Sequence, residues 1–125
     1  MGIPKQPRTP PDDGKALIPA IKEYRVELSK ARMTMKRFDL SMGKDLYTLT
    51  DTKVSVPALK KISREMVKRT VGIAETGVKK EMMARIKNLR DLLKSQEDNR
   101  TDKDGMANAF NEMEKILNQM ENPSQ

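Results

Sequence analysis

The first regularity along the chain is a row of apolar residues that recurs every seven positions. Leu17, Ile21, Tyr24, Leu28, Ala31, Met35, Phe38 and Met42 follow one another at alternating spacings of four and three. This pattern lays one stripe along an α-helix and, sustained over three repeats, is the seam of a coiled coil. Pro19 fits only a first turn, where its missing N–H deprives no partner. The helix is therefore expected to start beside Pro19 and to run to about Met42, or on to Tyr47, with Gly43 as the earlier stop. About 28 residues at 1.5 Å each make a rod of roughly 42 Å.

Residues 48–56, rich in β-branched and short polar side chains, read as a linker or a short extended strand. Ser55 is placed to cap the next helix, with Pro57 in its first turn. From Pro57 to about Lys94 the pattern is helical again. Glu65, Glu75 and Glu81 each precede a base by four residues, namely Arg69, Lys79 and Arg85, the orientation that stabilises an exposed helix by about 0.3–0.5 kcal/mol per pair. The apolar positions form two faces rather than one: Leu59, Ile62, Met66, Thr70 and Ile73, then Val78, Met82, Ile86, Leu89 and Leu93. The change falls between Gly72 and Gly77, each costing about 1 kcal/mol in a helix interior, so a kink, a break or a change of packing partner is expected there.

Residues 95–105 are a polar linker, and a third helix over about 105–121 puts Met106, Ala109, Phe110, Met113, Ile116, Leu117 and Met120 on one face before Asn122-Pro123 closes it. Pro4, Pro7, Pro10 and Pro11 make residues 1–14 a disordered tail in this reading, and residues 122–125 a second short tail. The expected fold is all-α: a long-helix bundle or coiled-coil hairpin, with helices about 19–47, 57–94 and 105–121. No repeat of solenoid period is visible.

Composition changes this picture in one respect. With 125 residues, 36% apolar and 34% charged, the chain has room for one modest core, and long helices sharing a core with a second copy are a natural solution. The Leu17–Met42 seam is thus expected to be an oligomer interface, with a compact monomeric bundle as the alternative.

There is no cysteine and no histidine, which removes thiolate chemistry, disulfides, most zinc sites and the usual general base near neutral pH. The expectation is a non-enzymatic protein without cofactor or metal. Residues 98–105 superficially suit a calcium loop through Asp102, Asp104 and Gly105. Its first position would be Arg100 and its twelfth Asn111, where acids are required, so the segment reads as a linker and helix cap. Gly2 lacks the hydroxyl residue of a myristoylation motif, Gln6 standing there. No secretory stretch or membrane span is seen, and a soluble intracellular protein is expected.

The charge is unevenly placed. Residues 15–50 carry +4, residues 57–94 carry +7, and residues 95–125 carry −4. Lys60, Lys61, Arg64, Lys68, Arg69, Lys79, Lys80, Lys87 and Arg90 lie mainly off the apolar faces of the second helix, so it reads as a basic rod of about 55 Å. Such a stripe suits a phosphate backbone, DNA or RNA, bound without sequence preference. The competing readings are a protein–protein module whose basic face meets an acidic partner, a solvated surface, and, ranked third, anionic lipid.

The acidic C-terminal segment is expected to compete for the same face. Tyr24, Phe38 and Phe110 read as core, leaving Tyr47 as the one candidate exposed ring, too few for base stacking. Ten methionines mostly occupy seam positions and read as core filling, with an exchangeable partner helix as the alternative. Gly72, Ala74 and Gly77 suit close helix crossing, while a phosphate-cradling Gly-Lys-Ser/Thr signature is absent.

Overall fold

The computed structural model describes residues 15–52, 55–73 and 77–122. A 3₁₀ turn, Lys15–Leu17, leads into α1 (Ile18–Met42), with Pro19 in the first turn as the sequence requires. The helix ends at Gly43, whose φ of 61° is the left-handed conformation that glycine adopts without a Cβ penalty. The longer option, to Tyr47, is not taken: Leu46–Tyr47 forms a two-residue strand, β1, followed by a 3₁₀ turn at Leu49–Thr52. Then come α2 (Ser55–Val71), α3 (Gly77–Asp98), β2 (Thr101–Asp102) and α4 (Lys103–Glu121).

The predicted second rod is therefore two helices. α2 stops at Val71, where the N–H groups of Gly72 and Ile73 turn back to the carbonyls of Arg69 and Thr70. Leu59, Met66, Thr70 and Ile73 on one side of this break, and Met82, Ile86, Leu89 and Leu93 on the other, are all buried. Two faces displaced around a helix cannot both meet one core from a straight rod, but they can once the chain reverses. It does reverse: Lys60, near the start of α2, pairs with Glu97, near the end of α3, at 2.7 Å.

The result is an up-down-up-down four-helix bundle in which α1 neighbours α2 and α4, and α3 neighbours the same two. α2 and α4 occupy opposite corners. The antiparallel register of α1 and α4 is recorded by Arg25 against Glu121 and Arg32 against Glu114. At one end β1 pairs antiparallel with β2, Leu46 opposite Asp102 and Tyr47 opposite Thr101.

α4 starts two residues earlier than the sequence suggests because Asp102 takes the N-cap, accepting the Gly105 N–H at 2.6 Å. α3 runs on through Ser95–Asp98, which the sequence assigned to a linker. The core joins Tyr24, Leu28, Leu59, Met66, Met82, Ile86, Leu89, Phe110, Met113 and Leu117 from all four helices. The tails 1–14 and 123–125, the pair of Glu75 with Lys79, the role of Ala74 and the capping side chain of Ser55 lie outside what is described.

Candidate functional site

The heptad row of α1 is the core of one chain. Leu17, Ile21, Tyr24, Leu28 and Ala31 are fully buried, Met35 is nearly so, and Phe38 packs partly against the same cluster. The Tyr24 hydroxyl reaches Met113 Sδ at 3.6 Å, and its burial pushes the phenol far above its ordinary pKa. The expected oligomer interface is thus corrected: α2 and α4 already fill the seam. Only Met42, 64% exposed at the last position of the helix, is left out. Tyr47, expected to be an exposed ring, is fully buried.

Tyr47 instead anchors the α1–α2 connection. Its hydroxyl lies 2.6 Å from both Asp39 Oδ1 and the Lys44 carbonyl, which share its one proton, while Lys103 Nζ holds Asp39 Oδ2 at 2.7 Å. The bonds from Lys103 and Tyr47 hold the Asp39 carboxyl below its usual range. In return the bond to Asp39 drives Tyr47 up to about 12, with burial adding to it, and Lys103 is raised. Next to this group, burial pushes the Asp51 carboxyl up. Hydrogen bonds from Lys44 and the Thr48 N–H, with the charges of Lys44 and Arg100, outweigh that and leave it below the ordinary value. These groups pair with one another, and they tie the loop, β1 and the start of α4 into one corner.

The nine predicted binding bases are distributed over two antiparallel helices. Lys60, Lys61, Arg64, Lys68 and Arg69 stand on α2; Lys79, Lys80, Lys87 and Arg90 stand on α3. At 1.5 Å per residue these helices are about 26 and 33 Å long, so the basic surface is two short ridges rather than a single long line. Lys60 is paired with Glu97, Arg69 with Glu65 at 3.4 Å, and Lys87 with Asp91 at 3.0 Å; Lys79 lies 3.4 Å from the Val71 carbonyl.

Lys61, Arg64, Lys68, Lys80 and Arg90 are exposed with no acidic partner among the described residues. Lys94, which sequence reasoning passed over, joins them. Its signal was available, since Lys87, Arg90 and Lys94 follow the three- and four-residue steps of one helix face.

Between the ridges runs a groove of about 770 Å³. Lys60 and Arg64 of α2 and Lys87, Arg90 and Lys94 of α3 line it, together with the apolar side chains of Val67, Met83 and Ala84. Two short side chains are part of its lining: Ser63, almost fully buried and donating to the Lys60 carbonyl, and the exposed Ala84.

Two acids of α4 are engaged elsewhere. Glu121 and Glu114 bind Arg25 and Arg32 of α1, which also donate to Asn118 at 2.7 Å and Asn111 at 3.0 Å. Since α4 and α2 occupy opposite corners, these α4 acids do not face the α2 bases; the competition expected of the C-terminal segment is built in at Glu97, which pairs with Lys60.

No family model matches this chain, and no curated protein or solved structure does either. Among the described residues no three His, Cys, Asp or Glu side chains gather as a metal site, and no helix is long and apolar enough to cross a membrane.

Proposed function

We propose that the chain is a non-enzymatic binding module whose α2/α3 face engages nucleic acid through its phosphate backbone, without sequence preference. The observation that carries this reading is the set of six exposed bases on adjacent helices that have no acidic partner among the described residues. Helices in contact lie about 8–10 Å apart, so the two ridges present a broad positive face. The length of α3, about 33 Å, is close to one duplex turn of roughly 34 Å. Lysine and arginine heads on such a face displace counterions from the phosphates, and that release gives an affinity indifferent to base sequence and steeply dependent on salt.

Anisotropy titration with random-sequence duplex and single-stranded probes tests the reading directly. Binding at low salt should weaken with rising salt, with a log–log slope of about −5 for six phosphate contacts on duplex. Lys61, Lys68 and Lys80 project outward, away from the core. Reversing all three to glutamate should reduce affinity at least tenfold and leave the melting temperature unchanged. Absence of binding at low salt would sink the proposal and pass the face to a protein partner or to solvent.

A further inference from the structure

We infer that the groove between α2 and α3 docks an acidic amphipathic helix from a partner protein. The groove differs from the ridges beside it. Its lining mixes the apolar Val67, Met83 and Ala84 with a charged rim: the two acids there, Asp91 and Glu97, are held by Lys87 and Lys60, while Arg64, Arg90 and Lys94 have no acidic partner among the described residues and leave the rim net positive. Phosphate recognition uses the cations and has no use for the apolar strip. Met83 is 39% exposed within it, on a helix whose other buried-face residues are fully packed. Apolar surface flanked by positive charge on both sides is the complement of a helix with one apolar stripe and acids on either side of it.

The dimensions agree with such an occupant. A volume of about 770 Å³ lies within the range of ligand clefts, roughly 300–1,000 Å³. The lining on α3 extends from Met83 to Glu97, about 21 Å at 1.5 Å per residue, which matches three to four turns of a docked helix. Arginine at Arg64 and Arg90 offers carboxylates a planar fork of donors from opposite walls. Arg64, Arg90 and Lys94 also belong to the nucleic-acid face, so the docked helix and a phosphate backbone exclude one another. This last consequence rests on the nucleic-acid reading; docking itself does not.

The probe is a labelled 14-residue peptide in which leucines at i, i+3, i+4 and i+7 alternate with glutamates. Its control is a scrambled isomer of identical composition with no apolar stripe. The amphipathic peptide should bind the full chain at least tenfold more tightly than the isomer. Met83→Gln, which alters no charge and sits at an exposed position, should erase most of that preference while leaving DNA affinity and melting temperature unchanged. Equal binding of both peptides, or an unchanged preference in Met83→Gln, would overturn the proposal and reduce the groove to a patch of charge.

Bound peptide should also displace a DNA probe. If the chain binds the amphipathic peptide but no DNA, docking stands and the nucleic-acid reading falls. Binding of DNA without discrimination between the peptides gives the reverse result.

Discussion

The bundle has two halves that treat charge and packing in opposite ways. Across the α1/α4 interface, bases are matched with acids: Arg25 with Glu121, Arg32 with Glu114, and Lys103 with Asp39 at the loop end. Arg32 also lies 5.3 Å over the Phe110 ring. The α2/α3 half has bases in excess, leaves six of them unpaired among the described residues, and keeps an open groove between its helices. Both halves are rich in Lys and Arg, so composition alone does not distinguish them. What separates a structural charge from a candidate binding charge is whether the neighbouring helix supplies its counterpart.

The largest effect should come from the packing contrast. Leu28 is fully buried in the α1/α4 half, while Ala84 is exposed beside the groove. Leu28→Asp puts an unpaired charge in the core and should cost at least about 4 kcal/mol, unfolding most of the protein. Ala84→Asp should leave the thermal melt, followed by circular dichroism, nearly unchanged. Comparable losses for the two would break the distinction between a packed half and an open one.

Glycines sharpen it next. A Cβ on Gly105 would lie 3.0 Å from Asp102 Oδ1 and 3.0 Å from Thr101 Cβ, whereas one on Gly77 would meet nothing within 4 Å. Gly105→Ala should therefore disturb the α4 cap and cost about 1–2 kcal/mol. Gly77→Ala should be neutral or stabilising by up to about 1 kcal/mol. Denaturant melts of the two variants read this difference directly.

The pH dependence should belong to the paired half. Asp39 and Asp51 are held below their ordinary values, so their contribution is complete above roughly pH 4. It is lost as pH falls through the lowered values. Tyr47, raised to about 12, and Tyr24, raised further, favour their neutral forms. Their contribution, like that of Lys103, is present below roughly pH 10 and is lost as pH rises through the raised values. The melting temperature should be flat from about pH 5 to 9 and fall on both sides. Asp39→Asn should flatten the acid limb, while the Lys61, Lys68 and Lys80 reversals should leave it in place.

The smallest effect concerns the ion pairs themselves. Arg32→Ala loses a partly exposed pair and a ring contact, worth about 0.5–1 kcal/mol. Lys87→Ala loses an exposed pair within one helix and should stay within about 0.5 kcal/mol.

Much of the fold was legible because burial and period coincide. The α1 row apart from Met42, both faces of the 57–94 segment apart from the half-buried Ile62 and Val78, and the seven α4 residues assigned to one face were read correctly as inward-facing. The partner of the α1 row was not legible, because a heptad stripe fits a neighbour in the same chain as well as one in another copy. The break at Gly72–Gly77 was visible, but whether it kinks or reverses depends on side-by-side packing of α2 and α3, a long-range contact with no local trace.

The β1–β2 pair is hidden for the same reason, since Thr101 and Asp102 sit in a polar run and pair as a strand through Leu46 and Tyr47, far back in the chain. Of the candidate site, the bases were legible one by one. The groove was not, since it arises only from the meeting of two helices.

The long seam has a consequence during synthesis. Tyr24 waits for Met113, 89 positions later in the chain, and a ribosome adding about 5–20 residues per second needs roughly 4–18 s to deliver it. Throughout that interval the nascent α1 carries a heptad stripe that α2 can cover in part and that has no α4 to complete it. The same stripe on a neighbouring chain of one polysome is its best available match. Co-translational pairing of two unfinished chains is therefore the misassembly to which this topology is most exposed, and the late arrival of Phe110, Met113 and Leu117 is the step that closes it off.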